Sequence, residues 1–326
     1  MNTERQDYFK SQVRRRGLEQ HSFGKTGMQV SLLGFGSYKM SGKIGGTTVG
    51  EVSRLLGQAL DAGINVIDTA ECYGQGEELI GQAVGHRRSD YYLFTKCGHS
   101  SGLNLPDWSP QLLERSIERS LQQLKTDHLE LVQLHSCSQD TLRQGDVIEV
   151  LQRARATGKT RYIGYSGDRR AALYAVNCGA FDSLQISVNI ADQESIDLII
   201  PKAKAHGMGV IAKRSIANRA WNSKQEPKDP IDRLYWERLK ALNYDFLKGD
   251  PESIASIAQR FTMRVPGVDI ALIGTTNPDH LQYNLTQLEA GPLPQAQYEA
   301  IRGRWETLTW WRRHLRGGRA GWHGCS

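Results

Sequence analysis

The strongest constraint in this sequence is a repeating beat. Short apolar runs of strand character recur eight times, at Leu32–Gly36, Asn65–Asp68, Tyr92–Thr95, Leu129–Leu134, Arg161–Gly164, Ser183–Ile186, Gly209–Ala212 and Ile270–Ile273. Each is followed by a stretch of helical pattern. Parallel strands need crossover connections, so strand–helix alternation predicts a parallel sheet. Eight such units in roughly 250 residues predict a (β/α)8 TIM barrel in one domain. The helices have local warrants. Val52, Leu55, Leu56, Ala59 and Leu60 share one helical face, and Gly63 stops it. Ser109-Pro110, Asp229-Pro230, Asp250-Pro251 and Asn277-Pro278 each pair a capping side chain with proline at the first helical position.

The structural alternative is an open doubly wound sheet, which carries G-x-G-x-x-G after its first strand. Here Gly34-Phe35-Gly36-Ser37-Tyr38-Lys39 lacks the third glycine. A Walker A loop fails too: Gly158-Lys159-Thr160 follows a helix, and Arg153 stands where the first glycine belongs. The expected organisation is a loose charged tail over 1–17, a barrel over 18–290 with an inserted loop-helix at 213–250, and a C-terminal extension at 291–326 lying over the barrel.

Net charge is +6 in 326 residues, and much of the excess sits at Arg14–Arg16 and at Arg312, Arg313, Arg316 and Arg319. These read as solvated tails; a nucleic-acid interface needs a basic face with a motif. No apolar run approaches the ~18 residues that span a bilayer. The five cysteines are unpaired in spacing, and Met1–Arg16 lacks the apolar core of a signal peptide, so the expected compartment is cytoplasmic. Cys325 and His323 are two possible ligands in a tail and make no metal site.

In a barrel, residues at the C-terminal strand ends converge on one mouth. Those ends supply Asp68, Lys96 and His135 on three successive strands, with Tyr73 in the loop after Asp68, then Ser166, Gln185 and Asn189. Together they suit proton donation. A tyrosine, pKa about 10 unperturbed, is a sluggish acid near neutrality. A nearby ammonium favours its phenolate, and a carboxylate can hold that ammonium in place. An imidazole can donate to an oxygen gaining negative charge. No nucleophile is paired with a base, so acyl transfer is not indicated. Taken singly, each residue has an ordinary reading: a cap, a surface charge, loop packing, a satisfied core histidine. Their joint arrival on three strand ends is what singles them out.

The segments Leu33-Gly34-Phe35-Gly36, Asn65-Val66-Ile67-Asp68-Thr69-Ala70 with Tyr73-Gly74, Phe94-Thr95-Lys96, Val132-Gln133-Leu134-His135, Arg161-Tyr162-Ile163-Gly164-Tyr165-Ser166 and Leu272-Ile273-Gly274-Thr275-Thr276-Asn277-Pro278 resemble the aldo/keto reductase family, in order, from about Leu18 to Leu288. The resemblance implies reduction of an aldehyde or ketone by a nicotinamide cofactor. Tyr73 would be the proton donor, Lys96 and Asp68 would tune it, and His135 would orient the carbonyl. It implies that Ser166 and Gln185 hold the carboxamide and that Gly36 and Ser37 lie beside the nicotinamide. Gly274, Thr275 and Thr276, with His280 and Asn284, would hold the adenosine phosphate, at a helix start that attracts anions. NADP(H) is the expected cofactor and NAD(H) the alternative, because Gly274 and His280 stand where cations often meet the 2′-phosphate. Two departures matter. Ser166-Gly167 replaces the usual Ser-Asn. Lys213-Arg214 falls where many members stack an aromatic, although Arg214 could stack or meet the pyrophosphate.

Two other functions fit the same residues: a cofactor-binding regulatory subunit with weak turnover, and a lyase using Lys96 as a Schiff base. Cys72, Cys97 and Cys137 flank the candidate residues, so either the mouth is redox-sensitive or small residues simply fit there. Trp221, Trp305, Trp310 and Trp311 read as pocket walls or as packing for the C-terminal segment. Lys39, Arg169 and Arg170 read as solvated. The partner class is a small-molecule carbonyl; oligomeric state is not legible.

Overall fold

The computed structural model describes residues 18–40 and 47–308. The expected tail, residues 1–17, and Trp310, Trp311 and the arginines beyond them lie outside those residues. Among the described residues, eight parallel strands close into a barrel. They are β3 (Leu33–Gly36), β4 (Val66–Asp68), β5 (Tyr92–Cys97), β6 (Leu129–His135), β7 (Thr160–Ser166), β8 (Ser183–Ser187), β9 (Gly209–Lys213) and β10 (Ile270–Ile273). β10 pairs with both β9 and β3, which closes the ring. Helices follow the strands: α1 (Val49–Asp61), α2 (Gly76–Val84), α3 (Pro110–Gln123), α4 (Gln139–Gln144), α5 (Asp146–Ala156), α6 (Arg169–Asn177), α7 (Glu194–Leu198), α8 (Ile200–Ala205), α9 (Pro230–Leu242), α10 (Pro251–Arg264), α11 (Pro278–Glu289) and α12 (Gln295–Thr307). The expected caps form. The side chains of Ser109, Asp229, Asp250 and Asn277 each accept a backbone N–H from the first turn of their helix, ahead of proline.

Side-chain alternation sorts each strand between two cores. Leu33, Phe35, Ile67, Leu93, Val132, Leu134, Ile163, Leu184, Val210 and Ala271 pack outward under the helices. Val66, Phe94, Leu131, Ile211, Ile270 and Leu272 fill the lumen, with Tyr92 and Tyr162 beside them. Continuing the inward set by twos toward the C-terminal ends gives Asp68, Lys96, Gln133, His135, Ser166, Gln185 and Lys213. The lumen is therefore apolar below and polar above, and the change of character locates the site.

The lower end is stoppered by a hairpin absent from the sequence reading, β1 (Gln20–Ser22) paired antiparallel with β2 (Gln29–Ser31). Its turn inserts Phe23, fully buried, against Phe94 with ring centroids 5.6 Å apart. Burying a phenylalanine contributes about 1.5–3 kcal/mol. Gly209 makes the room, because a Cβ there would lie 2.5 Å from the Phe23 ring.

Five strands run further than their apolar character suggests. β5 continues through Cys97, β6 through His135, β7 through Ser166, β8 through Ser187 and β9 through Lys213, because Lys96 pairs with Gln133, Cys97 with Leu134, His135 with Ser166 and Ser187 with Lys213. Lys96, His135, Ser166 and Lys213 thus sit on the ladder, not in loops beyond it. Such placement holds a site more rigidly.

Candidate active site

Asp68 is the last residue of β4, Lys96 the penultimate residue of β5 and His135 the last of β6. Tyr73 arrives on the turn after Asp68. That turn is pinned by Glu71 N–H to Lys96 O (3.1 Å) and by Tyr73 N–H to Ala70 O (2.9 Å), with Gly74 left-handed at φ 55°. Lys96 Nζ donates to Asp68 Oδ1 and to Thr69 O, both at 2.6 Å, and it lies 5.3 Å from the Tyr73 ring centroid. Lys96 and Asp68 are each 2% exposed, so the pair is shielded from solvent screening. Gln185 Nε2 donates to the same Asp68 oxygen at 3.3 Å and Gln185 Oε1 accepts from Gln133 Nε2 at 3.2 Å, which ties β4, β6 and β8 into one polar layer.

The His135 ring stands edge-on to Tyr73, centroids 5.7 Å apart. Burial, followed by the positive charges of Lys96, His99, Lys213 and Arg214, drives its pKa well below the ordinary imidazole value. His135 is therefore neutral at neutral pH and can donate one ring proton without carrying charge.

Three residues on the rim escaped the sequence reading. Tyr38 is 49% exposed, with its ring 5.1 Å from Tyr73. His99 lies 5.4 Å from the His135 ring and is held through Nδ1 by Asp107 Oδ2 at 3.1 Å. Trp108 packs edge-on against His99 at 5.1 Å. Gly98 permits that packing: at φ 136°, a Cβ would fall inside the Trp108 ring. No motif marks these positions; their role follows from the loop's path.

A second charged group caps β7, β8 and β9. Asp168 accepts Ser187 N–H at 2.7 Å and meets Lys213 Nζ at 3.2 Å and Arg214 at 3.6 Å, while Arg214 donates to Ser187 Oγ at 2.8 Å. Burial raises the Asp168 carboxyl, but the Lys213 and Arg214 cations and the Ser187 amide outweigh it, leaving the pKa below its usual value. Burial also lowers the Lys213 ammonium, and Asp168 only partly restores it. Two cations against one carboxylate leave a surplus positive charge. Arg219 lies within electrostatic reach of Tyr283 on α11, and its Nε is buried without a hydrogen-bond partner.

The other sequence-derived positions divide into two groups. Gly36 and Gly274 meet at the rim, where a Cβ on Gly274 would lie 3.0 Å from Gly36 O. Ser37 is buried, donates its amide to Asp68 O at 2.9 Å and leaves Oγ unpartnered. Ser166 ends β7 beside Gln185, its Cα partner. Thr275 is buried and bonds Asn277, whereas Gly274, Thr276 and His280 are exposed and Asn284 is half-buried. Lys39, Arg169 and Arg170 are exposed as expected. Asn189 is turned into its own loop, accepting Ala191 N–H at 2.8 Å.

Trp305 is not a pocket wall. It is fully buried on α12, with the Arg238 guanidinium 5.4 Å from its ring, so it fastens the C-terminal segment to α9. Trp221 is half-buried against the outer core. Cys97 and Cys137 are buried away from the mouth, and burial pushes both thiols far above the ordinary cysteine pKa. That leaves Cys72, with Sγ 3.3 Å from His135 Nδ1.

Behind Lys96 lies a further carboxyl. Glu77, on the first turn of α2, accepts Thr95 Oγ1 at 2.5 Å. Burial raises its pKa from 4.5 to about 7, against the opposing pull of Thr95, Ser120 and Lys96. Between these two values the folded chain holds a proton that the unfolded chain has released. Stability from this group therefore falls as pH rises through that window, by up to about 3 kcal/mol. Glu77→Gln is expected to flatten the loss of stability between about pH 5 and about pH 8, read from urea midpoints; an unchanged slope would show that Glu77 is ionised throughout.

The fold and the site together define a (β/α)8 barrel with a charge-supported phenol and a neutral imidazole at one mouth. Residues 32–306 match the family described as "Aldo/keto reductase family", and the chain belongs to that family of oxidoreductases. It is similar to L-galactose dehydrogenase of Arabidopsis thaliana, 27% identical over 90% of this chain and 97% of that protein. It is similar also to Aldo-keto reductase YhdN of Bacillus subtilis (strain 168), 28% identical over 81% of this chain and 87% of that one. Among solved structures, the holo form of an aldo-keto reductase from Bacillus halodurans superposes with a TM-score of 0.71 at 25% identity, over 88% of this chain and 96% of that one. No helix among the described residues is long and apolar enough to cross a membrane.

Proposed function

We propose that this chain reduces an aldehyde or ketone to an alcohol with NADP(H), Tyr73 donating the proton. The observation that carries the reading is the Lys96 ammonium, bound to Asp68 and 5.3 Å from the Tyr73 ring, beside a neutral His135. When bound, the nicotinamide cofactor supplies the hydride. The chain's own residues supply the rest. His135 donates a hydrogen bond to the carbonyl oxygen and orients it. Tyr73 passes its proton to that oxygen as charge develops. Lys96 stabilises the phenolate left behind, and Asp68 keeps Lys96 charged and fixed. The same bonds argue against a Schiff base, since Lys96 Nζ is buried and already donates to two oxygens.

The chain's donor set fits such a cofactor. Ser166 and Gln185 offer polar groups for the carboxamide. Gly36 and Gly274 approach closely with no side chains between them, and the unpartnered Ser37 Oγ lies beside Gly36. Lys213 and Arg214 give the lip a surplus positive charge for the pyrophosphate. Thr275, Thr276, His280 and Asn284 at the start of α11 would take the adenosine end, with Arg219, in electrostatic reach of Tyr283, as a candidate cation for a 2′-phosphate. The polar rim and the likeness to L-galactose dehydrogenase favour a hydroxylated carbonyl substrate.

The test is oxidation of NADPH, and separately NADH, across aldehydes, hydroxyaldehydes and ketones. Turnover with NADPH supports the proposal. Tight nucleotide binding without turnover would replace it with the regulatory-subunit reading. Arg219→Ala is expected to weaken NADPH affinity about tenfold, the size of one lost charge-assisted hydrogen bond, and to leave NADH affinity unchanged. Equal losses for both nucleotides would place Arg219 at the pyrophosphate instead.

A further inference from the structure

The Cys72 thiol is the one hydrogen-bonding partner of the His135 ring among the described residues, at 3.3 Å from Nδ1. Both side chains are buried, with exposures of 8% and 9%. The two groups differ in what they do well. An imidazole nitrogen lone pair is a good acceptor. A thiol is a weak donor and a weak acceptor. The imidazole nitrogen is the better acceptor of the two, which favours S–H donating to Nδ1. A neutral imidazole carries a single ring proton, so an Nδ1 that accepts forces that proton onto Nε2.

We propose that Cys72 is a positioning residue which fixes His135 in the tautomer protonated on Nε2, so that the ring presents a donor to the substrate oxygen. The inference rests on the reductase reading of His135. The more usual arrangement places a carboxylate or backbone carbonyl at Nδ1, making Nδ1 the donor. Here that would turn Nε2 into an acceptor, which repels a carbonyl oxygen. The thiol reverses the polarity. Its placement adds a second effect. Cys72 precedes Tyr73 on the turn anchored to Lys96 O, so one short segment sets both the proton donor and the orientation of its neighbour.

The experiment uses the full chain labelled with 15N-histidine, without nucleotide, with the His135→Gln spectrum to assign the ring. The expected native spectrum shows a pyridine-like Nδ1 and a pyrrole-like Nε2. In Cys72→Ala the two forms mix, and in Cys72→Ser the hydroxyl restores the native form. With the best carbonyl substrate, Cys72→Ala is expected to lose about tenfold in kcat, with nucleotide affinity unchanged and Cys72→Ser recovering most of the loss. Cys72→Val, closer in volume, separates the lost donor from a packing defect and should behave as Cys72→Ala. A native spectrum with the proton on Nδ1, or an alanine variant that keeps both the native tautomer and the native kcat, overturns the proposal. A native protein that turns over no carbonyl would overturn the reductase reading, and the spectrum would still decide where the proton sits.

Discussion

Tyr73→Phe is expected to lower carbonyl turnover by about 100- to 10,000-fold, the range associated with a positioned general acid. The ring is half-buried between Tyr38 and His135, and phenylalanine keeps its shape, so the fold and the nucleotide affinity should persist. The loss should fall on kcat, because the proton moves only as the carbonyl accepts charge. Steady-state kinetics with matched nucleotide binding decides it. A variant that keeps a tenth or more of native kcat would remove Tyr73 from the proton-donating role, and His135 would become the candidate acid.

The second large effect concerns the pair beneath it. Lys96→Met should abolish measurable turnover and also destabilise the barrel by about 3–5 kcal/mol, since it strands the Asp68 carboxylate in a buried layer. Asp68 Oδ2 already has no hydrogen-bond partner, and Oδ1 would keep only the 3.3 Å bond from Gln185. Combining Lys96→Met with Asp68→Asn removes the stranded charge. Urea denaturation of the double variant should show most of the stability recovered while activity stays lost. That divergence separates what the pair does for the reaction from what it does for the fold. If the double variant is no more stable than Lys96→Met, the cost comes from lost packing of the lysine stem.

The barrel was legible because each of its strands is apolar and each is followed by a periodic helix. Asp68, Lys96 and His135 were legible because strand ends in a barrel point to one mouth. The hairpin was not: Gln20-His21-Ser22 and Gln29-Val30-Ser31 are short and mostly polar, and they pair only because Phe23 finds the open lumen. The contact between Cys72 and His135 joins residues 63 apart in the chain, a distance no local pattern spans. Glu77 reads as an ordinary first-turn carboxylate of a helix, and only the packing of α2 on β5 reveals that it is buried. Lys213 was visible as a departure from an aromatic position, but its ion pair with Asp168 depends on the relative height of β7 and β9.

Closure of the ring has a consequence for how the chain is made. β10 pairs with β3, and the partners Ala271 and Leu33 are about 240 residues apart. At synthesis rates of about 5–20 residues per second, that interval takes roughly 12–50 s. Throughout it the nascent sheet has two unpaired edges and an unsealed lumen lined by Val66, Phe94 and Leu131. Edges of that kind recruit foreign strands. The four residues of β10 then remove both edges at once. Expression yield should therefore respond to chaperone supply and to translation speed before residue 270 far more than to any change at the mouth, and fragments ending short of β10 should accumulate as aggregates.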